Sequence, residues 1–231
     1  MAENEAMERP SIRSYQLRGA RMTKAQRQAI EEHGERLIID PFLKDLSEKS
    51  LRFRPSEIFP EKNEVVVEIG SGMGEASAQI AKIFPENGFI AIEVHRPGVG
   101  SLILRSIESE VENIRMINED CHLVLDLIED SSVDTFHIFF PDPWPKTKHR
   151  KRRLINEDFA SLLLSKMRKG GQLRVATDWV DYADQIKRVL DSKPEVKGGI
   201  VERPSWRPLT KFESQGIDKD HPVTDFLYIR I

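Results

Sequence analysis

From Glu64 onward the chain alternates between short apolar runs of strand composition and amphipathic stretches with helical spacing. This alternation restricts the fold more than any other feature of the sequence. The apolar runs are EVVVEI (Glu64–Ile69), GFIAIEV (Gly88–Val94), NIRMIN (Asn113–Asn118), VDTFHIFF (Val133–Phe140), QLRVATD (Gln172–Asp178) and TDFLYIRI (Thr224–Ile231). Between them the spacing predicts helices over Glu75–Phe84, Gly98–Val111, His122–Ile128, Asn156–Met167 and Asp181–Leu190. Strands separated by helices pair in parallel through right-handed crossovers, so the expectation is an α/β domain with a mostly parallel sheet. Residues 61–231 are expected to form it. Residues 1–60 read as a basic extension: a helix is expected near Lys24–Arg36, but there are too few apolar residues for a separate core, and residues 1–12 are expected to be disordered.

A chain of 231 residues is long enough to bury a full core in one domain. Its single cysteine, Cys121, rules out an internal disulfide framework and fits a reducing compartment. No apolar run reaches the roughly 20 residues a membrane helix needs. The start, MAENEAMERP, lacks the apolar core of a signal peptide, so a cytoplasmic location without membrane contact is expected. The net charge of −3 argues weakly against a nucleic-acid partner, but the charges are unevenly distributed. Arg13, Arg18, Arg21, Lys24 and Arg27 follow one another without an intervening acid, and six of the eight residues Lys146–Arg153 are Lys or Arg. One face of the protein can therefore be strongly positive.

The first strand runs into Gly70-Ser71-Gly72-Met73-Gly74-Glu75. Glycines at a strand-to-helix turn let the backbone approach a ligand; the alternative is a tight turn needed only for packing. A dinucleotide fingerprint would place its third glycine where Glu75 stands, and an acid in the first helical turn repels a pyrophosphate. The spacing better suits a ligand without phosphates, such as S-adenosylmethionine. Three carboxylates stand at consecutive strand ends, where open α/β sheets bind ligands. Glu68 is placed to hold an ammonium group, Glu93 to pair with ribose hydroxyls, and Asp120 to accept from an adenine amine. Each taken alone also reads as a solvated loop acid. Spacing for a metal site is absent, and none is expected.

The fourth strand breaks at Pro141 and leads into Asp142-Pro143-Trp144, followed by the basic run. A carboxylate and an aromatic beside a basic track suggest chemistry on a base within a nucleic acid. Asp142 could instead be a plain turn acid, and Trp144 a core residue. Lys148–Arg153 could be the solvated start of the next helix, although cations there oppose the helix dipole, which favours phosphate contacts.

Together VEIGSGMGE, AIEVHRPGV, FFPDPWPKTKHRKRRL, ATDWVDYA, TKFE (Thr210–Glu213) and the upstream GARMTKAQ resemble the bacterial tRNA (guanine-N7)-methyltransferase family. That resemblance implies a Rossmann-like class I methyltransferase fold, with a seven-stranded, mostly parallel sheet and helices on both faces. It also implies methyl transfer from S-adenosylmethionine to the variable-loop guanine of tRNA, at position 46. Carried onto this chain, the family pattern assigns Glu68, Gly70, Gly72, Gly74, Glu93, Asp120 and Asp142 to the cofactor, with Asp142 as the catalytic carboxylate. Lys146, Asp178, Thr210, Lys211, Phe212 and Glu213 fall at substrate positions. Lys148, His149, Arg150, Lys151, Arg152 and Arg153 fall in the RNA-contacting run. One departure is Gln215, where the family usually has arginine. Family members of this type need no second kind of subunit, so a monomer or homodimer with tRNA as partner is expected. Two other readings of the residues are a nonenzymatic tRNA-binding protein and a methyltransferase for exocyclic amines, whose Asp-Pro-Pro-aromatic turn Asp142-Pro143-Trp144 superficially resembles.

Overall fold

A computed structural model describes residues 13–15, 21–42, 52–209 and 222–231. Its sheet has the strand order β3-β2-β1-β4-β5-β7-β6. The strands are β1 (Val65–Ile69), β2 (Gly88–Ile92), β3 (Ile114–Ile117), β4 (Val133–Phe139), β5 (Met167–Thr177), β6 (Val196–Val201) and β7 (Thr224–Arg230). The first five pair in parallel, while β7 lies antiparallel to both β5 and β6. The sheet is therefore mixed at one edge. β1 and β2 are buried along their whole length, as expected for strands covered on both faces.

Helices α1 (Lys24–Leu37), α3 (Glu75–Ile83) and α4 (Arg96–Glu108) contribute to one apolar layer, with Leu102, Ile103, Ile114 and Met116 at its centre. Helices α5 (Cys121–Leu127), α6 (Glu157–Lys166) and α7 (Val180–Asp191) contribute to the other, with Phe136, Leu163, Ile186 and Phe226. The expected helices and strands all form, with ends displaced by a few residues. The short helix α2 (Pro55–Ile58) and strand β6 were not expected. Strand β6 has the sequence VKGGIV, whose two glycines break the alternation of a half-buried strand. Gly198 is required there for space, since a Cβ would lie 2.0 Å from the Leu227 carbonyl.

The described residues ahead of β1 have no core of their own. Ala29 and Leu37 join the first layer, and Phe53 and Phe59 the second. Thr23 caps α1 in a reciprocal box with Gln26, and the Gln26 amide reaches Ser101 of α4 at 2.8 Å. Inside β4, His137 is buried and stacks on Trp206; burial first, and the Arg174 charge second, hold its pKa down at about 3, so it is neutral.

The chain leaves β1 for β2 on one side and later returns to β4 on the other. The carboxyl ends of β1 and β4 therefore diverge into a crevice, where an open parallel sheet binds ligands.

Candidate active site

A cavity of about 480 Å³ occupies that crevice. Its walls come from Glu68 and Ile69 of β1, the glycine loop, Glu93 to His95 after β2, Glu119 and Cys121 after β3, and Phe139 to Asp142 after β4. Gly70, Gly72 and Gly74 all have positive φ, at 79°, 58° and 74°. No other residue adopts three such conformations in one turn without strain, so glycine here serves the path of the backbone.

Glu93 clasps this loop. One carboxylate oxygen accepts the Gly72 N–H and the other the His95 N–H, both at 2.7 Å. Burial raises its pKa against those two bonds. Glu68 lies deeper, and burial together with the Glu93 charge pushes it up to about 7. Glu75, Glu119 and Asp142 add further carboxylates. Arg207, the one Lys or Arg side chain among the described residues of the wall, is paired with Asp225. Such a lining favours a cationic ligand and disfavours a phosphate. Two buried polar atoms in the wall, Ser71 Oγ and His95 Nε2, have no partner among the described residues. They suit a ligand bearing hydroxyl or amine groups. A sulfonium nucleoside has these properties, and the residues present fit one.

Asp120 is placed otherwise than expected. Its side chain is only 2% exposed, caps α5 by accepting the His122 N–H at 2.9 Å, and bonds the His122 ring at 3.0 Å. Against the burial that would raise its pKa, these bonds and one from Tyr15 hold it low. The carboxylate is thus committed to the turn, and its neighbour Glu119 faces the cavity instead. Asp120, Cys121 and His122 do bring one potential ligand atom each within 4.8 Å of one another. The cap occupies the carboxylate, however, and burial raises the Cys121 thiol pKa, so these groups are poorly prepared for a metal.

Asp142 sits on the rim of the cavity and is exposed. The turn carrying it is strained at both ends, with Phe140 at φ 53° and Trp144 at φ 44°. The Phe140 N–H is held by the Ala176 carbonyl at 2.8 Å. Trp144 is buried under the Arg152 guanidinium, which lies 4.0 Å from its ring centre. This placement matches the core reading of Trp144, because the ring is covered by protein.

The basic run divides in two. It forms a 3-10 helix, Thr147–Arg152, in which Lys148 and Lys151 are exposed and Arg150 is turned toward Asp181 at 3.1 Å; Lys146, just before it, is exposed too. Arg153 is a correction to the expected RNA-contacting set. It is 1% exposed, donates to the Pro143 carbonyl at 2.8 Å, pairs with Asp181 at 2.5 Å and bonds Gln185 at 2.9 Å. An arginine with its donors spent inside the protein cannot reach a phosphate. Arg152 is also partly committed, through Trp144 and the Arg13 carbonyl at 3.1 Å.

Asp178 and Lys146 lie outside the cavity wall, and Thr210–Glu213 and Gln215 fall outside the described residues. Ser14, Tyr15, His95, Glu119 and Arg207 line the cavity without having been expected there. Only His95 gave a usable signal, as the residue two beyond the acid ending β2.

A family model described as a putative methyltransferase matches residues 62–226. The tRNA (guanine-N(7)-)-methyltransferase of Nitrosomonas europaea is 44% identical over 96% of this chain and 97% of its own. That of Francisella philomiragia is 38% identical over the full length of both, and that of Methylobacillus flagellatus 43% over 98% and 94%. Among solved structures, the 16S rRNA methyltransferase KamB aligns with a TM-score of 0.56 at 14% identity, over 76% of this chain and 92% of that one. A 30S ribosomal A1408 methyltransferase from an uncultured bacterium aligns at 0.51 and 14%, over 76% and 91%. Those two likenesses show the class I methyltransferase fold. The crevice, its acidic lining and the sequence identity over almost the whole chain lead to one assignment: this chain belongs to the tRNA (guanine-N7)-methyltransferase family.

Proposed function

We propose that the protein transfers a methyl group from S-adenosylmethionine to N7 of a variable-loop guanine in tRNA, at position 46, in the cytoplasm. The observation that carries this reading is the join between the acidic cavity and the basic run: Asp142 stands at the mouth of a site whose lining favours a cation, and exposed Lys146, Lys148 and Lys151 follow it in the chain. Glu68 faces the cofactor's ammonium end, Glu93 its ribose, and the turn Glu119–Cys121 its adenine. In this role Glu119 replaces the Asp120 carboxylate.

S-adenosylmethionine supplies an electrophilic methyl group when bound. Guanine N7 already carries an in-plane lone pair, so no base has to remove a proton. The N7–CH3 bond forms as the S–CH3 bond breaks, and the positive charge passes from sulfur to the guanine ring. Asp142 accepts from the Watson–Crick N–H groups of the base and offsets that charge. The rest is alignment, which contributes roughly 7–11 kcal/mol in favourable cases. The exposed cations hold tRNA phosphates without reading sequence, so selectivity comes from tRNA shape and an accessible guanine. No helix among the described residues is long and apolar enough to cross a membrane, which is compatible with a tRNA substrate in solution.

Borohydride–aniline cleavage of tRNA incubated with the protein tests the reading, because N7-methylguanine becomes a scission site. A single cut in the variable loop, dependent on S-adenosylmethionine, is expected. No cut, or a cut elsewhere, overturns it.

A further inference from the structure

Arg207 and Asp225 form a buried ion pair beside the cavity. Arg207 is 1% exposed and Asp225 5%. The guanidinium donates through Nε and Nη2 to the two carboxylate oxygens, each at 2.9 Å. Such a pair contributes little stability over an apolar pair of the same volume, so its value is directional: the bidentate fork fixes the guanidinium plane. That plane sets the guanidinium carbon 5.8 Å from the Phe139 ring centre and 5.4 Å from that of Phe140. Asp225 is itself fixed, as the β7 residue opposite Ala176 of β5, and the Ala176 carbonyl holds the Phe140 N–H. Both ends of the bracket thus meet at Phe140.

Phe140 needs holding. A non-glycine residue at φ 53° is strained and persists only where its surroundings enforce it. Two residues further on is Asp142. The backbone around Arg207 is secured as well: Trp206 stacks on His137, the Arg207 N–H bonds the Pro204 carbonyl at 3.0 Å, and the Arg207 carbonyl accepts from Arg203.

We infer that Arg207, locked by Asp225, is a positioning residue for methyl transfer: it holds the Phe139–Phe140 corner in the conformation that presents Asp142 to the guanine. This inference rests on the role proposed above for Asp142. The test uses the full-length chain with single-turnover methyl transfer to tRNA, S-adenosylhomocysteine titration and thermal unfolding. Arg207→Met/Asp225→Asn leaves no unpaired charge and is expected to fold and, at S-adenosylmethionine concentrations that the titration shows to be saturating for each variant, to transfer methyl about 10- to 100-fold more slowly, as a small misplacement of a reacting group requires. Arg207→Lys keeps the charge but not the fork, and falls between the two.

A residue that only stabilises the fold would lower the unfolding temperature and leave the rate of the folded protein unchanged. The decisive comparison adds Asp142→Ala. If Arg207 acts through Asp142, the paired variant slows the Asp142→Ala enzyme by less than about twofold. Folded variants with wild-type rates, or losses that multiply independently of Asp142, overturn the inference. Wild-type protein that fails to methylate tRNA overturns the underlying function instead.

Discussion

The Trp144 indole donates its Nε1 hydrogen to the carbonyl of Ser14 at 2.9 Å, tying the turn that bears Asp142 to a residue 130 positions earlier in the chain. Ser14 and Tyr15 in turn line the cavity, so the N-terminal segment and the turn form one wall. Replacing Trp144 by Phe keeps a ring beneath Arg152 and removes this bond. A neutral hydrogen bond contributes about 1 kcal/mol, so the Kd for S-adenosylhomocysteine is expected to rise roughly fivefold, read by calorimetric titration. An unchanged Kd would show that the wall does not depend on the bond.

Glu68 gives the ligand-free protein a pH dependence of definite sign. Its pKa is near 7 in the fold, against 4.5 for the ordinary group. Below pH 4.5 both folded and unfolded chains hold the proton, and this residue has no effect. As pH rises from 4.5 to 7 the unfolded chain releases the proton first, so stability declines, by roughly 3 kcal/mol in total, and then levels off. Glu68→Gln removes that decline. The variant is expected to unfold at a higher temperature than wild type at about pH 8 and at a similar one near the ordinary carboxylate pKa, while losing cofactor affinity.

The two halves of the basic run are expected to respond differently. Substituting alanine for Lys148 and Lys151 should lower the slope of log K against log salt for tRNA binding by about 0.7–0.9 for each phosphate left without its cation. Arg153→Met should leave that slope unchanged and lower the unfolding temperature, because it removes the buried bonds to the Pro143 carbonyl, Gln185 and Asp181. A filter-binding salt series and a melting curve separate the two.

Gly98, in the first turn of α4, lies against the glycine loop: a Cβ there would sit 2.2 Å from the Gly72 carbonyl oxygen. Gly98→Ala must push the loop out of place, and a loss of about tenfold or more in S-adenosylhomocysteine affinity is expected, from overpacking of roughly 1–3 kcal/mol. Gly34→Ala in α1 is the control. The nearest atom to a Cβ there is 3.5 Å away, so that variant should gain about 0.5–1 kcal/mol of stability with unchanged affinity.

The sequence by itself determined the α/β order and the place of the cavity, because both follow from local properties. Strand and helix periods are written in neighbouring residues, and the strand-to-helix turn with three glycines marks where a backbone must turn left-handed. Glu68 and Glu93 were legible for the same reason, as acids at strand ends. Asp120 and Arg153 were not, because a carboxylate committed to a helix cap and one free for a ligand have the same letter, as do a buried arginine and an exposed one. Strand β6 needed β7 beside it before its glycines made sense. Arg207 reaches the cavity wall from a distant part of the chain, where it pairs with Asp225, eighteen residues later. Burial and pairing of charges are decided by residues brought together from distant parts of the chain, and that assembly exists only in the folded protein.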